Sequence, residues 1–157
     1  MSYCVYIETS IISYLTARPS NDIRSSARQN STLEWWANYS SAFNLFVSEY
    51  VLAEAAGGNS DAAAKRLNVI NSLPILEVTN KVRELSQSLL HEGALPEKAE
   101  IDSLHIAVAA AHGMDYLLTW NCKHIANAIM RPKIENACVL SGCEPPIICT
   151  PDELMQE

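Results

Sequence analysis

The run PEKAEIDSLHIAVAAAHGMDYLLTWNCKHIAN, residues 96–127, decides how the chain is read. Pro96 suits the first turn of a helix, where a missing N–H costs nothing. From Ile101 to His112 the one acidic or strongly basic side chain is Asp102, and Gly113 follows as a stop. Ile106 and Ala109 lie on the face of Asp102 with His105 beside it, so that acid is set against packed surface. Tyr116–Leu118 is then a compact apolar strand, with Thr119 and Asn121 just beyond its carboxyl end. A further helix is expected over residues 121–128.

The same alternation extends outward. Cys4–Ile7 is short, apolar and rich in strand formers, and Glu8 follows it directly. Thr9 or Ser10 is expected to cap a helix over residues 11–15. A polar stretch over residues 21–29 precedes a helix at 32–39, with Leu33, Trp36 and Ala37 on one face. Residues 45–47 form a second strand, and Ser48 opens a helix that Gly57 and Gly58 close. Residues 60–73 are helical until Pro74, with a strand at 75–78. Thr79 caps a helix to His91, and Gly93 ends it. Ile147–Cys149 is the last strand, and Thr150-Pro151-Asp152-Glu153 reads as a capping box. Short strands separated by helices predict an α/β fold, one domain over residues 1–157, with helices on both faces of a parallel sheet. Ligands in such sheets bind beyond the carboxyl ends of the strands, where the strand order reverses.

Composition narrows the function classes. The 157 residues are 48% hydrophobic and 18% charged, enough apolar material for a sizeable core. The longest apolar run, residues 106–111, is far short of a bilayer span. The N-terminal MSYCVYIETS lacks the basic and apolar regions of a signal peptide, so a cytoplasmic protein without a membrane segment is expected. Five cysteines form no CxxC pair and four histidines no HExxH motif, against a disulfide framework or a zinc site. The net charge of −7 is uneven, with five acids and no Lys or Arg from Glu135 onward. Residues 18–28 and 119–133 are locally basic, so a polyanion can be met by patches.

Four positions carry candidate chemistry. Glu8 lies at the carboxyl edge of the first strand. Glu54 sits on a short helix among apolar neighbours, Asp102 lies on the apolar helix, and Asn121 follows the Tyr116–Leu118 strand. Carboxylates that converge in a poorly solvated pocket repel one another or bind a cation. A hard ion such as Mg²⁺ takes oxygen ligands and keeps waters for substrate phosphates. Each residue also has a plainer use. Glu8 can complement a helix dipole, Glu54 can be a solvated acid, Asp102 can accept a core hydrogen bond or pair with Lys98, and Asn121 can cap a helix. His105 reads as a packed histidine. One of Trp35 and Trp36 belongs in the core and the other can anchor a partner, while Trp120 reads as buried beside the site.

The segments VYIETSIISYL, SEYVLAEAAGG and the run quoted first resemble PIN-domain proteins, and more narrowly the VapC-like toxins of type II toxin–antitoxin systems. The resemblance implies a three-layer α/β/α sandwich around a mostly parallel sheet. It also implies an Mg²⁺- or Mn²⁺-dependent endoribonuclease with an RNA substrate, a cognate antitoxin and a homodimeric state. The family's three acids map onto Glu8, Glu54 and Asp102 as metal ligands. Its fourth position falls at Asn121, a neutral amide, and its first acid is here Glu rather than Asp. Lys123, His124, Arg131 and Lys133 are candidate contacts to the RNA backbone. Two rivals are a PIN module that binds RNA or a protein without cutting, and a metal-dependent phosphatase. No glycine-rich phosphate loop or DxD pair follows the first strand to favour the phosphatase.

Overall fold

Val5, Tyr6 and Ile7 are all fully buried, and a strand with no exposed alternate residue belongs in the middle of a parallel sheet. The computed structural model, which describes residues 2–156, places it there. Strand β1 (Cys4–Ile7) lies between β2 (Asn44–Ser48) and β4 (Tyr116–Leu118). The edges are β3 (Ile75–Leu76) and β5 (Ile147–Cys149), giving the order β3-β2-β1-β4-β5 with every pair parallel. The order reverses between β1 and β4. Ile7 is in register with Leu118, so Glu8 and Thr119 leave the sheet side by side.

Seven α-helices among the described residues cover the two faces: α1 (Thr9–Thr16), α2 (Ile23–Asn38), α3 (Glu49–Ala55), α4 (Ser60–Ile70), α5 (Asn80–His91), α6 (Glu100–Ala111) and α7 (Arg131–Leu140). Their caps are mostly the expected ones. The hydroxyls of Ser48 and Thr79 accept from the backbone N–H groups of Val51 and Val82. The Thr150–Glu153 capping box opens a 3-10 turn. No helix among the described residues is long and apolar enough to cross a membrane, and all five cysteines are free thiols.

The structure departs from the sequence expectations in four places. Glu8, rather than Thr9 or Ser10, caps α1, its carboxylate accepting from Ser10 N–H. Helix α2 starts at Ile23, because Asp22 caps the polar stretch through Ser25 N–H at 2.9 Å. Its buried face is Gln29, Thr32 and Trp35, whereas Leu33 is 49% exposed. Gln29 earns burial by hydrogen-bonding the loop before α2 at Ser20, Ala17 and Arg18. Helix α6 begins at Glu100, since residues 96–99 close a separate turn through Ala99 N–H and the Pro96 carbonyl.

The fourth departure matters most for the site. Residues 121–130 are successive turns, and the expected helix over 121–128 is absent; α7 begins only at Arg131. The side chains of Asn121 and Asn127 take up backbone groups that a helix would use. Asn121 Oδ1 accepts from His124 N–H at 3.0 Å, and Asn127 Nδ2 donates to the carbonyl of Cys122 at 3.0 Å. Short amide side chains compete with helical hydrogen bonds in this way.

Candidate metal centre

The site is built where β1 and β4 end. Glu8 is 5% exposed, and three donors surround its carboxylate. The hydroxyls of Ser10 and Thr119 both donate to Oε1 at 2.5 Å, and Ser10 N–H donates to Oε2 at 3.1 Å. Each hydroxyl is itself aimed by a backbone N–H: Trp120 N–H reaches Ser10 Oγ at 2.8 Å, and Asn121 N–H reaches Thr119 Oγ1 at 2.9 Å. The loop after β4 thereby turns two hydroxyl protons onto one buried acid.

Glu54, in the last turn of α3, faces the same rim. Its Oε1 accepts from Thr9 Oγ1 at 2.6 Å and meets His105 Nε2 at 2.5 Å. Burial pushes the pKa of Glu54 up, but the hydrogen bonds from His105 and Thr9 outweigh it and hold the carboxyl below its usual range. Ligand atoms of Glu8, Glu54 and His105 all lie within 4.8 Å of one another. That is the spacing at which side chains share one ion.

Asp102, in the first turn of α6, is tied on both oxygens. Asn121 Nδ2 donates to Oδ1 at 2.9 Å, and Oδ2 meets His124 Nδ1 at 2.8 Å. It pairs with neither Lys98 nor a core hydroxyl. Asp102 lies outside the 4.8 Å group and joins it through Asn121, whose backbone N–H holds Thr119 against Glu8. Glu8, Asn121 and Asp102 thus belong to one hydrogen-bonded string through Thr119, while Glu54, held by Thr9 and His105, approaches Glu8 within 4.8 Å without a hydrogen bond to that string.

The expected basic residues separate. Lys123 and Lys133 are exposed. His124 is bound to Asp102, and Arg131 is half-buried, donating to the Ile148 carbonyl of β5 at 3.3 Å. Trp120 is 8% exposed, its indole N–H on Thr32 and its ring beneath the Arg28 guanidinium at 5.3 Å. Trp35, not Trp36, is the core tryptophan, its indole N–H donating to the Leu154 carbonyl at 3.0 Å.

Sequence reasoning missed the shell behind the acids: Thr9, Ser10, Tyr6, Ser48 and the second role of His105. One signal for His105 was available. It stands three residues after Asp102, a spacing that puts two side chains on one helix face.

The donor set fits a hard divalent cation. Two carboxylates lie close together with a third nearby, and Glu54 Oε2 takes no hydrogen bond among the described residues. Ionised carboxylates offer about four lone-pair sites each, so the bonds to Glu8 and Asp102 leave acceptor capacity for an ion.

Among solved structures, the chain is similar to VapC20 of Mycobacterium tuberculosis, described as a sarcin-ricin loop cleaving toxin. The TM-score is 0.60 at 19% identity, over 76% of this chain and 92% of that one. It is also similar to VapBC2 of Rickettsia felis, solved bound to a DNA fragment from their promoter. There the TM-score is 0.57 at 19% identity, over 94% of this chain and 98% of that one. At these identities the likeness is one of fold. No curated protein matches the sequence. The PIN domain family model matches residues 5–124, a span that holds Glu8, Glu54, Asp102 and Asn121 together, and the chain belongs to the PIN-domain family.

Proposed function

We propose that this chain is a metal-dependent endoribonuclease and the toxin of a toxin–antitoxin pair, with Glu8, Glu54 and Asp102 holding Mg²⁺ or Mn²⁺. The observation that carries this reading is the approach of Glu8 and Glu54, from distant parts of the chain, at the point where the strand order reverses. Bound there, a divalent ion supplies an activated water and stabilises charge on a phosphodiester undergoing in-line displacement. The chain's own residues hold the acids ready: Ser10 and Thr119 orient Glu8, Thr9 and His105 orient Glu54, and Asn121 and His124 orient Asp102. Lys123 and Lys133 are exposed and suit contacts to RNA phosphates.

RNA as substrate draws support from the fold likeness to a toxin described as cleaving the sarcin-ricin loop. An antitoxin partner draws support from the likeness to VapBC2, and a homodimer is part of the same reading. Asn121 favours a second reading, a module that binds RNA without cutting, because an amide replaces the family's fourth acid. One experiment separates them. Purified protein is incubated with RNA in Mg²⁺ or Mn²⁺, and again with EDTA. Metal-dependent cleavage supports the nuclease; binding without cleavage in either condition supports the module; equal cleavage in EDTA rejects the metal centre.

A further inference from the structure

Behind Glu54 runs a hydrogen-bonded chain that the reaction itself does not call for. Val51 N–H points at Ser48 Oγ at 3.4 Å, Ser48 Oγ meets Tyr6 Oη at 2.7 Å, and Tyr6 Oη meets His105 Nδ1 at 2.7 Å. The chain ends where His105 Nε2 meets Glu54 Oε1 at 2.5 Å. Ser48, Tyr6 and His105 are all fully buried, so no bulk water satisfies them. The chain runs from the residue that caps α3 back to the acid in the last turn of that helix, passing through β1 and α6.

Donor and acceptor counting gives the chain a direction. Val51 N–H can only donate, so it occupies Ser48 Oγ as an acceptor. The buried Ser48 proton then has one partner among the described residues, Tyr6 Oη. Tyr6 has a single proton, and a phenol is an O–H at neutral pH. Accepting from Ser48, it gives its proton to His105 Nδ1. The imidazole therefore carries its hydrogen on Nε2 and donates it to Glu54. Run the other way, the chain leaves the Ser48 hydroxyl proton buried without an acceptor, which costs free energy.

We infer that His105 is a positioning residue for Glu54 and not a metal ligand: Tyr6 and Ser48 lock it as an Nε2–H donor, and Glu54 thereby presents Oε2 to the ion. Both ring nitrogens are spent, one as a donor and one as an acceptor, so His105 has no lone pair for a cation despite its place within 4.8 Å of both acids. The inference rests on the metal-centre reading. Hydrogen-bonded groups behind a ligand typically change metal affinity by about 10–100-fold.

Two measurements test it. Long-range proton–nitrogen NMR on histidine-labelled protein, with and without Mg²⁺, reads the tautomer directly; Nε2–H in both states is expected. Mn²⁺ titration followed by electron paramagnetic resonance then compares wild type with Tyr6→Phe and Ser48→Ala. About tenfold weaker binding by a folded variant is expected, with no nitrogen coupling to Mn²⁺ in the wild type. An unprotonated Nε2, a nitrogen coupling from His105, or wild-type affinity in both variants overturns the positioning role while leaving the metal centre standing. Failure of the wild type to bind Mn²⁺ or Mg²⁺ overturns the metal-centre reading itself. The NMR arm needs no variant, so it decides even if both substitutions prevent folding.

Discussion

Asn121 donates its side-chain amide to Asp102 Oδ1 at 2.9 Å, joining the loop after β4 to α6. Its Oδ1 is used as well, on His124 N–H. The neutral amide is thus a structural clasp between the loop after β4 and α6, and it adds no charge to the rim. Asn121→Asp sets two carboxylates at that 2.9 Å contact, where both ionise only with a cation present. In EDTA the variant is expected to lose about 1 kcal/mol of stability, the order expected for breaking a partly buried hydrogen bond. Thermal melts in EDTA and in Mg²⁺ check it: the deficit is expected to shrink when Mg²⁺ is added. An equal deficit in both conditions means no ion reaches this side of the site.

Asp102→Asn tests the opposite change at the same contact. The new amide keeps an oxygen for Asn121 Nδ2 and can donate to His124 Nδ1, so both partners remain satisfied at nearly constant volume. The melting temperature is expected to stay within a few degrees of wild type. Cleavage of RNA is expected to fall by more than about 100-fold, since removing a ligand charge costs more than removing a group behind a ligand. Full activity in the folded variant excludes Asp102 as a ligand.

The fold was legible because its signals are local and redundant. Cys4–Ile7, Tyr116–Leu118 and Ile147–Cys149 are short apolar runs closed by polar residues, and Ser48, Thr79 and Thr150 cap where their sequence context says they should. Helix α2 was only partly legible, because its buried face is polar. Gln29 and Thr32 are inside for hydrogen bonds made to a loop and to a carbonyl one turn back, which periodicity cannot reveal. In the site, Glu8 and Glu54 could be placed from strand ends and a short helix. The shell of Thr9, Ser10, Tyr6 and Ser48 could not, since it depends on the register of β1 against β2 and β4. The loop over residues 121–130 misled because its asparagines look like caps and act as turn formers.

The thiols give a prediction independent of the site. Burial pushes Cys138 and Cys149 up to about 12, and a thiol that stays protonated is a poor nucleophile. Cys122 is exposed on the loop after β4. Iodoacetamide at pH 8 is expected to modify Cys122 first and to leave Cys138 and Cys149 untouched until denaturant is added. Mass spectrometry of tryptic peptides over time checks the order. Early modification of Cys138 or Cys149 in native protein shows that α7 or β5 opens readily.

Glu54 links the site to acid stability. Despite the burial that raises its pKa, bonds from His105 and Thr9 leave its folded-state carboxyl below the usual range. An acid of this kind contributes stability above its unfolded pKa, about 4.3 for Glu, and loses that contribution as pH falls through the lower folded value. Its side chain is 40% exposed, so solvent screening limits the effect to about 1 kcal/mol or less. Glu54→Gln in EDTA is therefore expected to be slightly less stable than wild type at pH 7, with a difference that closes as pH drops below about 4.3. Urea midpoints for both proteins across pH 3–7 measure it. A variant equal to or more stable than wild type at pH 7 would mean that Glu54 is held against its own preference, a carboxylate crowded by Glu8 and waiting for a cation. Repeating the series with Mn²⁺ then tells the two cases apart, because ion binding stabilises only the chain that keeps the charge.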